Sequence, residues 1–344
     1  MNPTLYPRPL SRREFAGQVA RGALLAGAAL VAGPAALAAQ SGQNNPFAYD
    51  LSRLSQTDPK LVRYEETGRF RCPHAEPRRV AVGPGDALFV AAGNYVTALG
   101  AGGASGLEIA LSGSARCVAV AKDGTIYAGL RDHVEVFDAK GQRRATWETP
   151  GGKPWFTGLA VGENDVFAAD AGNRVLFRFD RSGKLVRRLG EKNKERGVPG
   201  FIVPSPYLDV ELGPDGLLHV NNPGRHRVEA YTFDGDFEGG WGKPTAAIDG
   251  FCGCCNPIGL AALPEGRIVT CEKGLPRVKV YGAQGEFDSV VAGTDAFPEN
   301  AKVGAGETRG DSTLAGLDAA ADSQGRIYIL DFVTGDIRVM KRKA

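Results

Sequence analysis

The segment IDGFCGCCNP, residues 248–257, sets Cys252, Cys254 and Cys255 within four positions and closes them with Asn256 and Pro257. Three chemistries use sulfur at such density. Thiolates from Cys252, Cys254, Cys255 and Cys271 would supply four soft ligands for zinc, copper(I) or an iron–sulfur cluster, with Cys72, His74 and Cys117 as further donors. The C-x-C-C spacing matches no common zinc or ferredoxin pattern. Cys252 and Cys255 also form a C-x-x-C, the arrangement of thiol–disulfide exchange, although no helix evidently follows to lower a thiolate pKa. The structural use is a set of disulfides, for which six is an even number. Cys271 with one member of the cluster and Cys72 with Cys117 are the plausible pairs, whereas a bond between neighbours such as Cys254 and Cys255 is strained and readily reduced. Six cysteines allow 15 complete pairings, so the three uses stay open at this point.

The elements that position these residues follow from a repeat. The strings RVAVGPGDALFVAAGNYVTAL, CVAVAKDGTIYAGLRDHVEVFDAKGQ, GLAVGENDVFAADAGNRVLFRFDRSGK, DVELGPDGLLHVNNPGRHRVEAYTFDGD, GLAALPEGRIVTCEKGLPRVKVYGAQGE and DAAADSQGRIYILDFVTGDIRVM share one grammar. Each runs strand, Gly/Asp turn, strand, polar loop, strand, with a further D-x-x-G-type turn in most. The first apolar positions, Val80, Val118, Leu159, Val210, Leu260 and Ala319, recur 38, 41, 51, 50 and 59 residues apart. Periods near 40–50 with about four short strands per unit predict propeller blades, since one small sheet cannot bury both of its faces alone. No unit shows the 3.6-residue period of a helical repeat. The last unit ends at IRVMKRKA without a fourth strand. LVRYEETGRF, residues 61–70, is therefore expected to supply it, closing an all-β, six-bladed ring over residues 61–344 and removing its open edges.

Composition agrees. The 344 residues are 43% apolar and 23% charged, with 47 glycines, 21 prolines and a formal net charge of +2, which describes a turn-rich globular protein. No long basic run is present, so a nucleic-acid or polybasic membrane surface is not expected.

VFAADAGNRVLFRFDRSGK resembles an NHL repeat, whose usual wording is strand, YVAD, a short loop with Asn, RV, strand and D-x-x-G. The resemblance spans roughly residues 78–341 and implies a six-bladed NHL/TolB-like propeller but no single activity. At the other end of the chain, LSRREFAG sets Arg12 and Arg13 before Phe15 and is followed by an Ala/Gly/Leu stretch. This resembles a twin-arginine signal peptide, over residues 1–39, with a polar linker at 40–60. Ala16 stands where the pattern prefers leucine. The resemblance implies a folded domain in the periplasm or outside the cell, with the twin-arginine translocase as a partner and membrane contact only in transit. That compartment permits disulfides.

Blade topology then locates the chemistry. Connections from the fourth strand to the next blade's first, and from the second to the third, open on one face. All six cysteines fall there, as do the three longest connections, so this face is expected to be the working one. The residues before each inner strand form a ring of Arg79, Cys117, Gly158, Asp209, Gly259 and Asp318 at the channel mouth. Arg79, Asp209 and Asp318 are the expected binders of a cation or polar ligand there. Asp170 with Arg174, Asn221 with Arg227 and Glu272 with Arg277 occupy matching positions and are expected to knit the blade rims. The expected function is a binding or scaffold module for a periplasmic protein or small molecule, its cysteine-rich face holding a metal or redox centre. The alternative is an enzyme, either a metal-dependent hydrolase or lyase at the channel mouth or a thiol oxidoreductase.

Overall fold

A computed structural model describes residues 54–148, 151–304 and 315–344. The expected signal segment and most of the linker lie outside the described residues. The chain folds into six four-stranded antiparallel sheets, a six-bladed β-propeller. Blade 1 holds β2 (Pro77–Val82) to β5 (Ser105–Ala110), blade 2 β6 (Cys117–Val120) to β9 (Arg143–Glu148), and blade 3 β10 (Phe156–Val161) to β13 (Leu185–Leu189). Blade 4 holds β14 (Val210–Leu212), β15 (Leu218–Asn222), β16 (Arg227–Tyr231) and β17 (Phe237–Trp241), and blade 5 β18 (Gly259–Ala262), β19 (Ile268–Cys271), β20 (Val278–Tyr281) and β21 (Phe287–Ala292). Blade 6 holds β22 (Leu317–Ala321), β23 (Ile327–Asp331) and β24 (Asp336–Arg342). Its outer strand is β1 (Tyr64–Arg71), antiparallel to β24 from Tyr64 opposite Arg342 to Arg71 opposite Asp336. The N-terminal strand thus closes the ring as the missing fourth strand required.

The D-x-x-G grammar has a local cause. Asp138 Oδ1 accepts from the amides of Lys140 and Gln142, both at 2.9 Å, and Asp180 Oδ1 does the same for Ser182 and Lys184. Gly141 and Gly183 then turn the chain at φ 78° and 90°, a region costly for any residue with a Cβ. Apolar residues of adjacent blades bury one another: Trp147 of blade 2 lies 5.3 Å from Tyr127 and 5.6 Å from Phe179 of blade 3.

The rim pairs are corrected in two cases of three. Glu272 pairs with Arg277 at 2.8 Å, but Asp170 instead accepts from the amides of Trp155, Gly172 and Asn173. Asn221 accepts from Asp209 N and donates to Pro257 O, while Arg227 donates to Gly240 O. Residues ending the second strand hold the backbone of the preceding long connection, because those connections lack ladder partners for their own amides.

Candidate functional site: the axial cavity

The inner strands line an axial cavity of about 700 Å³, within the usual range of small-molecule sites. Its closed end is the ring expected from sequence. Arg79 Nη1 donates to Asp209 Oδ2 at 2.9 Å and Asp318 Oδ1 at 2.5 Å, and Arg79 Nε donates to Thr157 O at 2.9 Å. Asp318 Oδ2 accepts from Val80 N and Asp209 Oδ2 from Leu260 N, each at 2.9 Å. One arginine and two carboxylates thereby tie blades 1, 3, 4, 5 and 6 together at the axis. Two glycines make room: a Cβ on Gly259 would stand 3.0 Å from Asp318 Oδ1, and one on Gly158 would meet Asp209.

Arg79, Asp209 and Asp318 are all buried, so they form a plug beneath the long loops rather than an open mouth. The cavity runs to the opposite rim, where exposed Lys122, Asp123 and Glu163 line it. The expectation that the channel opens on the long-loop face is therefore corrected. The physical reason is that Arg79 reaches both carboxylates across the axis and fills the space between the strand starts.

One level down, the second residue after each ring position is Ala81, Ala119, Ala160, Glu211, Ala261 and Ala320. Five alanines surround a single glutamate. The register partners of these residues are Phe89, Tyr127, Phe167, His219, Val269 and Tyr328, so the same blade that replaces alanine by Glu211 replaces an apolar or aromatic side chain by His219. His219 Nε2 lies 3.0 Å from Asp215 Oδ2, and its buried Nδ1 has no hydrogen-bond partner. Burial, followed by the charges of Asp209 and Asp318, pushes Glu211 up to about 8. Burial also pushes Asp209 up to about 6 and raises Asp318, against the pull of Arg79. Burial opposes the Arg79 charge too, yet the two carboxylates hold it firmly protonated. At neutral pH the cavity wall therefore presents a largely protonated carboxyl, which both donates and accepts hydrogen bonds.

The cysteines do not assemble into one centre. Cys252, Cys254 and Cys255 sit in the 242–258 connection, Cys117 and Cys271 lie buried at the closed end of the cavity, and Cys72 follows β1. All six are free thiols, which corrects the pairings of Cys271 with the cluster and of Cys72 with Cys117. Among the described residues no group of three or more His, Cys, Asp or Glu side chains is arranged to hold a metal ion. The thiols are also held protonated: burial pushes Cys117 up to about 12 and raises Cys72 and Cys271, while Cys254 is raised first by its hydrogen bond to Cys255, Sγ to Sγ 3.2 Å. Thiols so held are poor nucleophiles. The expected metal, iron–sulfur and thiol-exchange centres are accordingly not supported.

A buried ion cluster organises the sulfur-bearing loop instead. Glu272 accepts from Arg277 Nη2 and pairs with Lys279 Nζ, both at 2.8 Å, and Lys279 donates to the carbonyls of Ile248 and Gly250. Asn256 bridges the loop to Lys273 through its side-chain oxygen and nitrogen, at 2.9 Å each. The histidines are dispersed and individually occupied. His74 stacks on Tyr95 and meets Glu108 at 2.8 Å, His133 meets Asp132, and His226 meets Gly253 O.

Sequence reasoning placed the first ring and missed the second. Its signal was present as alanine at one repeat position in every unit but the fourth.

No protein-family model matches the chain, and no curated protein matches it in sequence. Among solved structures, a streptogramin B lyase is 15% identical with a TM-score of 0.56, over 81% of this chain and 97% of the other. Virginiamycin B lyase from Staphylococcus aureus is 14% identical with a TM-score of 0.56, over 81% and 99%. A catalytically inactive histidine-to-alanine variant of that lyase with quinupristin gives 13% and 0.53, over 81% and 99%. The likeness is one of fold.

Proposed function

We propose that this chain is an exported NHL-type propeller that acts as a binding module, its axial cavity receiving a small molecule through the tight-turn rim. The single observation that supports this reading is Glu211, the one glutamate among five alanines in the wall of a cavity of about 700 Å³. An alanine ring gives a smooth apolar sleeve for the body of a ligand, and a protonated carboxyl gives one directional polar contact. Export by the twin-arginine translocase to the periplasm or beyond rests on the paired arginines before Phe15, and the NHL assignment on the wording of the repeats.

The test is a thermal-shift and native mass-spectrometric screen of small molecules against the wild type and Ala160→Phe, which fills the sleeve. Ligands that bind the wild type and are lost from the filled variant support the reading. A screen in which every binder survives Ala160→Phe rejects it.

A second reading, acid–base catalysis at Glu211, is favoured by its raised proton affinity in the cavity wall, with His219, which Asp215 holds, as its register partner on the next strand. The fold neighbours include lyases, one of them inactivated at a histidine. Turnover of a bound ligand that disappears in Glu211→Gln while binding persists would select it over simple binding.

A further inference from the structure

On the long-loop face, away from the open end of the axial cavity, a small depression of about 70 Å³ is lined by Arg78, Arg79, Arg116, Trp155, Thr157 and Tyr207, among others. The guanidinium carbons of Arg116 and Arg131 lie 4.8 and 4.6 Å from the centre of the Trp155 ring. The ring holds both cations in place by cation–π attraction. Arg79 is engaged by Asp209 and Asp318, as described above. Arg78, Arg116 and Arg131, by contrast, make no ion pair with any carboxylate among the described residues, and the buried Nε of Arg116 has no hydrogen-bond partner. Elsewhere partly or wholly buried arginines find an acceptor, a carboxylate for Arg178 and Arg277 and backbone carbonyls for Arg225 and Arg227.

Three guanidinium groups gathered without counter-ions repel one another. Burial first, then the charges of Arg78 and Arg131, lower the proton affinity of Arg116, and Glu76 is the nearby acid that acts in the other direction. Such an arrangement costs stability unless an anion occupies it. Lys273, with Nζ 4.7 Å from the centre of the Tyr207 ring, adds a fourth cation on the same rim.

We infer that this arginine cluster around Trp155 is a second binding site, specific for the oxyanion head, carboxylate or phosphate, of a small ligand. The depression has room for about five waters, which suits a charged group rather than a whole ligand body. Planar guanidinium forks recognise both oxyanions by paired hydrogen bonds. The inference is independent of the axial cavity, which opens on the other face.

The experiment is scanning calorimetry of the protein with sodium phosphate, sodium benzoate or sodium chloride at matched ionic strength. A saturable rise in Tm with phosphate, benzoate or both, and not with chloride, is expected. Response to phosphate alone assigns a phosphoryl head, and response to benzoate alone a carboxylate. Arg116→Gln and Arg131→Gln are each expected to weaken the apparent affinity at least tenfold, while removing a cation from the opposite, tight-turn side by Lys140→Gln leaves it unchanged. If Arg116→Gln does not fold, Arg131→Gln, whose side chain is exposed, carries the same reading. No response beyond that to chloride, or a response that survives both substitutions together, overturns the inference.

Discussion

Glu211 on β14 lines the cavity and His219 on β15, buried behind it, is its register partner; no other blade pairs an acid with a base at this repeat position. Beside them Asp215 holds the imidazole, while Asp209 and Asp318 stand above Glu211 and discourage its ionisation. The folded carboxyl therefore binds its proton more tightly than an unfolded glutamate, whose pKa is about 4.3.

The sign of the resulting pH dependence is fixed. A carboxyl raised in the folded state leaves stability intact below about pH 4.3 and removes it progressively as pH rises toward about 8. Glu211→Gln cannot ionise, so it is expected to exceed the wild type only slightly at pH 5 and by up to about 5 kcal/mol at pH 9. Urea unfolding at pH 5, 7 and 9 measures this. A wild type that gains on the variant as pH rises would contradict the buried, protonated state.

Arg79 is the cation that makes the plug tolerable. Arg79→Met leaves Asp209 and Asp318 facing each other without it, and a broken buried pair typically costs about 3–5 kcal/mol. Burial pushes Asp209 up to about 6 even with Arg79 beside it, and removing that cation raises it further, so the loss should shrink as pH falls toward 6 and the variant's pair takes up a proton, then level off. Chemical denaturation from pH 4.5 to 8 checks this; a loss independent of pH would mean that Arg79 acts by packing alone.

How much of this was legible in the sequence depended on whether a residue's role is set locally. Six units of strand and turn, and the need for a closing strand, follow from period and from the cost of open edges, so β1 was found as the partner of β24. The ring of Arg79, Asp209 and Asp318 was legible because repeat position fixes distance from the axis. Which end of the channel closes was not, because that depends on how charges from five blades compensate one another in space. The cysteines misled for a related reason: a dense sulfur motif reads as chemistry, whereas Glu272, Arg277 and Lys279, spread along an ordinary-looking blade, hold the loop that carries it.

That anchoring makes its own prediction. Glu272, Arg277 and Lys279 are almost wholly buried, and burial pushes Lys279 down to about 8. Glu272→Ala strands two buried cations and is expected to cost about 3–5 kcal/mol. It should also raise hydrogen exchange at residues 246–252, whose carbonyls and one amide these side chains hold. Global destabilisation without local exchange in that loop would separate the cluster from the cysteine segment.

The thiols supply the last prediction, because burial ranks them. Cys254 is exposed and Cys252 half-buried, whereas Cys72, Cys117, Cys255 and Cys271 are buried. Alkylation of the native protein by a neutral maleimide at pH 7 is expected to modify Cys254 first and Cys252 next. Cys117 and Cys271 should react only after unfolding, since their thiols are both inaccessible and raised in pKa. Cys254→Ser should then cost less than about 1 kcal/mol, as substitutions of exposed residues usually do. Six alkylated cysteines after denaturation without a reductant would agree with free thiols throughout. Fewer than six would show that export oxidises some of them, and the adjacent Cys254 and Cys255, 3.2 Å apart, are where the first missing pair should be sought by peptide mapping.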